Sequence, residues 1–322
     1  MNAKTVATLY AVLAAALYAI NVPLSKLLMT QVQPTMMAAF LYLGAGLGLF
    51  LYGLAERAVG KRVRREPLTK KELPYTVAMV VLDIAAPILL MLGIARTGSA
   101  NVSLLNNFEI VATSVIALAV FREVISKKLW LAIALVVAAS ALLTFEGEGA
   151  FAFNSGSLFV IGACLCWGME NNCTKKISNK SSVEIVVIKG TFSGLGSLLC
   201  ALIVGERLPA VPWMVCVLLL GFVAYGLSIH FYIMAQKDLG AAKTSAFYSV
   251  APFLGVAFSF VLLGERPGLR FYAALAIMLL STYLMVRDTI ALQHTHEHEH
   301  DGTVHSHLHT HGTDSTDHTH TH

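Results

Sequence analysis

Charge is scarce in this chain: Asp, Glu, Lys and Arg make up 13% of its 322 residues, while 56% are hydrophobic. An average soluble domain carries roughly 25% charged residues, so the composition excludes a protein that covers itself with charge in water and implies a lipid solvent. Polar connecting stretches are equally rare. From Thr5 to Arg287 apolar runs follow one another with no room for a soluble domain between them. The few cysteines, Cys164, Cys166, Cys173, Cys200 and Cys216, sit within or at the ends of those runs, where a thiol behaves as a small hydrophobe, and no disulfide framework is expected. A phosphate-binding loop and a nucleophile-and-base arrangement are both missing, so the chain is read as not an enzyme. The first apolar run holds Asn21 and Pro23 and has no small-residue cleavage site before a polar mature chain, which marks a retained span.

What is present is a series of ten apolar runs, each near the roughly 20 residues that cross a hydrocarbon core of about 30 Å. They are Thr5 to Leu28, Pro34 to Leu54, Pro74 to Ala95, Ser99 to Phe121, Leu129 to Phe145, Gly156 to Lys175, Val183 to Val204, Pro212 to Ala235, Ala241 to Leu263 and Leu269 to Val286. Basic residues fall on alternate loops. One side holds Arg57, the cluster from Lys61 to Lys71, Arg122, Lys127, Lys128, Lys175, Lys176, Lys180, Lys237 and Arg287; the other holds Arg96, Arg207, Arg266 and Arg270. Lys and Arg mark cytoplasmic loops, so a multi-pass protein of the plasma (inner) membrane with both termini in the cytoplasm is expected. The net charge of +4 resides mostly in those loops and gives no sign of nucleic-acid binding.

The two halves resemble each other. Ala16 to Lys26 aligns with Cys164 to Lys175, setting Tyr18 against Trp167, Asn21 against Glu170 and Lys26 against Lys175. Ala100 to Thr144 parallels Ala242 to Val286, setting Asn106 and Asn107 against Tyr248 and Ser249; Asp83 falls against Tyr225. Five spans per half make the second half enter the bilayer from the opposite side, an inverted repeat of the kind that supports alternating access about a shared midplane site. The aromatic-small step followed by polar residues and a lysine, present twice, together with FREVIS after the fourth span and LLGERP after the ninth, resembles the EamA-type drug/metabolite transporter superfamily over residues 5 to 287. The resemblance implies an all-α membrane protein of ten helices in a five-plus-five inverted repeat: residues 1–149, residues 150–287, and a tail of 288–322. It also implies transport, often export, of amino acids, nucleoside-like metabolites or drugs. The family's proline stands at Pro252, while Ile110 takes its place in the first half, and Tyr18 and Ala19 replace the usual Trp and Gly.

Ionisable and amide groups inside the spans are the candidate site, because each costs a few kcal/mol in a bilayer. With a rise of about 1.5 Å per residue, Asp83 and Glu109 sit at similar depth on either side of the turn near Thr97. Two carboxylates facing one cavity would exchange a proton or bind a cation, so this pair is read as the proton-coupling element. Alternatively each carboxyl is simply hydrogen-bonded, to Asn101, Asn106 or Asn107. The expected substrate-binding set is Asn21, Asp83, Asn106, Asn107, Glu109, Trp167, Glu170, Asn171, Tyr225, Tyr248 and Ser249, a ring suited to a small polar metabolite bearing an amine. Lys26 and Lys189 lie near span ends and are read as snorkelling. Gly44, Gly46, Gly48, Gly190, Gly194 and Gly196 signal close helix packing.

From His294 the sequence turns polar and alternating, a tail expected to be disordered. Its His294, His296, His298, His300, His305, His307, His309 and His311 suit Zn, Ni or Co, although no cofactor is required by the rest of the chain. The partners expected are a small-molecule substrate, the lipid bilayer and transition-metal ions at the tail; oligomeric state is left open. The leading functional expectation is a secondary transporter of a small metabolite or drug-like compound. The alternatives are a transition-metal ion transporter joining the tail to Asp83, Glu109, Glu170 and His230, and a membrane metal sensor.

Overall fold

The computed structural model describes residues 3–58, 67–121, 127–144, 154–177, 180–239, 244, 247–300 and 303–310. The cluster from Lys61 to Arg65, the FREVIS segment from Arg122 onward, and His311 lie outside the described residues. The helices in chain order are α1 (Ala3–Ala19), α2 (Asn21–Leu28), α3 (Pro34–Ala58), α4 (Leu73–Arg96), α5 (Ser99–Leu105), α6 (Phe108–Phe121), α7 (Lys127–Thr144), α8 (Ser155–Ile177), α9 (Ser182–Ile203), α10 (Val211–Gly221), α11 (Ser228–Leu239), α12 (Ala251–Leu263) and α13 (Leu269–Leu292). A π-helical turn, Phe222–Leu227, joins α10 to α11. Beyond α13 the backbone of Gln293–His300 pairs antiparallel with Thr303–Thr310.

Eight helical stretches among the described residues are long and apolar enough to cross a bilayer, from Thr5–Leu28 to Leu269–Val286. Of the ten expected runs, the remaining two differ for reasons visible in their residues. Ser155–Ile177 has 23 residues but carries Glu170, Asn171, Asn172, Lys175 and Lys176, and Ala251–Leu263 is apolar but has 13 residues. The molecule is therefore an all-helical membrane protein over its bundle. Its surface agrees: Leu269 is 85% exposed and Val261 80%, a cost that water would not tolerate along whole helices but lipid does. The interior holds polar groups instead, with Asn21, Asp83, Ser193 and Ser197 fully buried.

Among the described residues four spans are interrupted near their middles, and the residues at each break account for it. Pro23 has no N–H to bond the Ala19 carbonyl, so α1 ends there and α2 begins after a turn at Ile20. At Asn106 and Asn107 the Asn107 side chain donates to the Leu104 carbonyl at 3.0 Å, and its backbone N–H turns to the same oxygen at 3.2 Å, taking over the ladder that would have joined α5 to α6. Pro252 follows a turn at Ser249 and Val250 in the ninth span. The π turn opens the eighth span around Tyr225. Pro87 sits inside α4 and removes the donor that would have bonded the Asp83 carbonyl.

Helix α3 packs along α9, α4 along α8, α7 along α13, and α1 along α11. The glycines set these approaches. A Cβ on Gly46 would lie 2.7 Å from the Thr191 backbone nitrogen, one on Gly190 2.4 Å from the Gly46 nitrogen, and one on Gly44 2.1 Å from the Leu218 carbonyl oxygen. The backbones of α3, α9 and α10 are thus in direct contact, as the glycine pattern predicts.

Candidate functional site

At the centre of the bundle Lys189 of α9 reaches between two buried carboxylates. Its Nζ lies 3.0 Å from Asp83 Oδ2 on α4 and 3.1 Å from Glu170 Oε1 on α8. The other Asp83 oxygen accepts from the Tyr42 hydroxyl at 3.0 Å, and that hydroxyl in turn accepts from Trp167 Nε1 at 3.3 Å. Thr174 Oγ1 donates to Glu170 Oε1. Four helices, α3, α4, α8 and α9, thereby share one charged network, with the Lys189 side chain 15% exposed and Asp83 wholly buried. Burying ions costs several kcal/mol each unless they are paired and hydrogen-bonded; here each carboxylate has both kinds of partner.

A second cluster lies on α6 and α8. Asn171 Nδ2 donates to Glu109 Oε1 at 2.7 Å and to Thr113 Oγ1 at 3.2 Å, and Thr113 Oγ1 donates to the Glu109 carbonyl at 2.8 Å. Asn172 donates to the Gly168 and Thr113 carbonyls at 2.8 and 3.1 Å. Gly168 makes this possible, since a Cβ there would lie 2.6 Å from that of Ala112. Opposite stands an aromatic wall. Tyr225 lies edge-on to Tyr18 with centroids 5.8 Å apart and tilts against Tyr42 at 5.4 Å, while Tyr248 meets Tyr18 at 5.9 Å and Tyr232 at 5.1 Å. Asn21 Nδ2 donates to the Tyr225 hydroxyl at 3.1 Å, and Ser25 Oγ donates to Asn21 Oδ1 at 3.2 Å.

These bonds assemble Asn21, Asp83, Glu109, Trp167, Glu170, Asn171, Tyr225 and Tyr248 around one centre. Asn106 and Asn107 belong instead to the break between α5 and α6, with Asn107 facing Met278 at 3.7 Å; Ser249 lies at the break before α12. The expected partnership of Asp83 with Glu109 takes a different form. The carboxylate that shares a cation with Asp83 is Glu170, and Glu109 bonds Asn171. Asp83 bonds Tyr42 and Lys189, and Glu109 bonds Asn171, in place of the expected amides Asn106 and Asn107. His230 packs against Tyr52 at 4.7 Å and Phe231 at 5.7 Å, and among the described residues no group of three or more His, Cys, Asp or Glu is arranged to hold a metal.

Two lysines depart from the snorkelling reading. Lys189 turns inward to the carboxylates, and Lys26 donates to the Thr97 carbonyl at 2.8 Å and to that of Ile94. The signal for Lys189 is present in the sequence: three acids lie inside the spans, and a low dielectric demands a cation for them. Tyr42, Thr113 and Thr174 carry no such signal, because a lone hydroxyl in an apolar run reads equally well as lipid-facing or buried.

Comparison with known proteins agrees with this architecture. A curated protein of Methanothermobacter thermautotrophicus (strain ATCC 29096 / DSM 1053 / JCM 10044 / NBRC 100330 / Delta H), described as an uncharacterized transporter, is 24% identical over 267 residues, covering 77% of this chain and 76% of that protein. A solved crystal structure at 19% identity superposes with a TM-score of 0.62, covering 89% of this chain and 97% of the other, which shows a shared fold. The model of the EamA-like transporter family matches residues 5–145 and again 154–287. With both stretches matched, the chain belongs to the EamA-like transporter family.

Proposed function

We propose that this protein is a secondary transporter that moves a small, polar, amine-bearing metabolite or drug-like compound outward across the plasma membrane in exchange for protons. The observation that carries the reading is Lys189 set between Asp83 and Glu170, with Glu109 close by on α6. Three carboxylates against one ammonium leave a surplus of acid in a site screened from bulk water, and such a surplus is relieved by a proton or by a cationic substrate, not readily by both. Competition for the same charge is what exchange requires. The aromatic wall of Tyr18, Tyr225 and Tyr248 supplies the faces on which an ammonium group is attracted.

Alternating access follows from two inverted halves of five spans each. The family match over two consecutive stretches supports it, and so does the reciprocal packing: α8 meets α4 and α6 of the first half, while α1 meets α11 and α12 of the second. The midspan breaks at Ile20, Asn106 and Ser249 and the π turn at Tyr225 are irregular backbone of the kind that lines substrate sites in transporters. Both termini in the cytoplasm remain the orientation favoured by the loop charges.

The test is counterflow in proteoliposomes across a panel of amines, amino acids and neutral analogues. Wild type should exchange an amine at least about tenfold faster than its neutral isostere, since a desolvated charge partner contributes about 1.4 kcal/mol or more; equal rates would remove the cationic-substrate reading.

The tail is proposed to bind transition-metal ions without forming part of the transport path. Deleting residues 288–322 should abolish zinc binding measured by calorimetry while leaving counterflow within about twofold, a change of less than 0.5 kcal/mol. Loss of transport on deletion would instead favour the carrier of metal ions.

A further inference from the structure

The loops after α9 and α12 repeat a device that the transport site does not use. Each helix ends on a glycine in the left-handed conformation, Gly205 with φ 85° and Gly264 with φ 62°, which reverses the chain without the clash that a Cβ would bring. Each glycine is followed by Glu and Arg: Gly205-Glu206-Arg207 and Gly264-Glu265-Arg266. Each glutamate then lays both carboxylate oxygens on two consecutive backbone N–H groups at the start of a helix from the other half. Glu206 accepts from Thr35 at 3.1 Å and Met36 at 2.6 Å on α3. Glu265 accepts from Ser99 at 2.7 Å and Ala100 at 2.8 Å on α5.

These ties join residues 154–287 to residues 5–145, the two stretches that the family model matches separately. They are reinforced side by side. The Arg207 N–H donates to Gln33 Oε1 at 2.7 Å, and Ser99 and Ser259 hydroxyls meet at 2.8 Å. Beneath them Ser25, Asn101 and Ser103 are buried, whereas Glu109, Asn171, Lys189 and Tyr248 keep part of their exposure. Closure of the bundle on the side of the two turns is the state that these ties would hold. Ionic bonds to free helix N–H groups are strong enough to hold that closure and, being few, can be broken together.

We propose that the two Gly-Glu-Arg turns form a latch that holds this end of the bundle closed and must release each time the site opens toward it. The proposal rests on the alternating-access reading above. Its test is the labelling rate of Ser103→Cys by a membrane-impermeant maleimide added on the side of the turns, read as the difference from the parent with its native cysteines. Ser103 Oγ has no hydrogen-bond partner, so the reporter itself breaks no bond. Glu206→Ala with Glu265→Ala should raise the rate roughly tenfold, and Glu265→Gln, which keeps one acceptor, roughly threefold. Glu184→Ala removes a tie to Leu68 at the opposite end and should give no rise. Monodisperse elution and complete labelling in denaturant show that each variant folded. An unchanged rate in Glu265→Gln and the double variant, or an equal rise in Glu184→Ala, overturns the latch. Labelling is measured without substrate, so absence of flux in the wild type would sink the transport reading while leaving this result distinct.

Discussion

Lys189→Met is expected to leave little folded protein, and adding Asp83→Asn to the same chain is expected to restore much of it. Removing one partner of a buried ion pair costs about 3–5 kcal/mol, against a total stability of about 5–15 kcal/mol, and here Asp83 and Glu170 lose their shared cation at once. Methionine keeps the length of the lysine stem, so packing is nearly conserved and the loss reads out charge. Asn at position 83 still accepts from Tyr42 while removing one of the two stranded charges. The measurement is the monodisperse fraction in detergent and the melting temperature of the two variants. A single variant that melts like wild type, or a double variant no better than the single, would show that the network does not hold the helices together.

Gly221→Ala is expected to be as damaging although it adds one methyl group. The new Cβ would lie 2.0 Å from the Leu41 carbonyl oxygen, and the three nearest atoms are all Leu41 backbone, so relief requires α3 and α10 to part along their length. Overpacking costs typically 1–3 kcal/mol where side chains can shift; here they are not the obstacle, and a loss of at least about 3 kcal/mol is expected. Gly268→Ala, with nothing within 4 Å, should change stability by less than about 0.5 kcal/mol. Thermal melting of both in one detergent makes the comparison. Similar melting temperatures would mean that the α3 to α10 contact is looser than the distances state.

Much of the architecture was legible in the residues because a bilayer leaves few choices. Apolar runs of spanning length announce helices, and the spaced glycines from Gly44 to Gly48 and Gly190 to Gly196 announced their close crossings. The breaks at Pro23 and Pro252 were readable from a missing N–H. The π turn at Tyr225 was not, since no residue in Phe222–Leu227 forbids an ordinary helix. In the site, the acids and amides stood out by their cost in lipid, and most of them converge. Their pairing did not stand out. Depth along two helices brought Asp83 level with Glu109, but depth fixes only one coordinate, and helix rotation turned Asp83 toward α3, α8 and α9 instead. Lys189 departs from the snorkelling reading for the same reason: seven residues from its helix start it has a route to the membrane surface and one to the interior, and although the acids in the spans call for a cation, only the positions of Asp83 and Glu170 select this one.

Proton exchange at the buried acids is best examined by trapping a pH-sensitive dye inside proteoliposomes and adding a transported amine to the outside. In wild type the lumen should turn alkaline as amine enters and protons leave, and Asp83→Asn, verified as folded, should lose that signal. Amine flux that proceeds with no change of lumenal pH, and at an undiminished rate in Asp83→Asn, would contradict a site in which substrate and proton compete for the charge around Lys189.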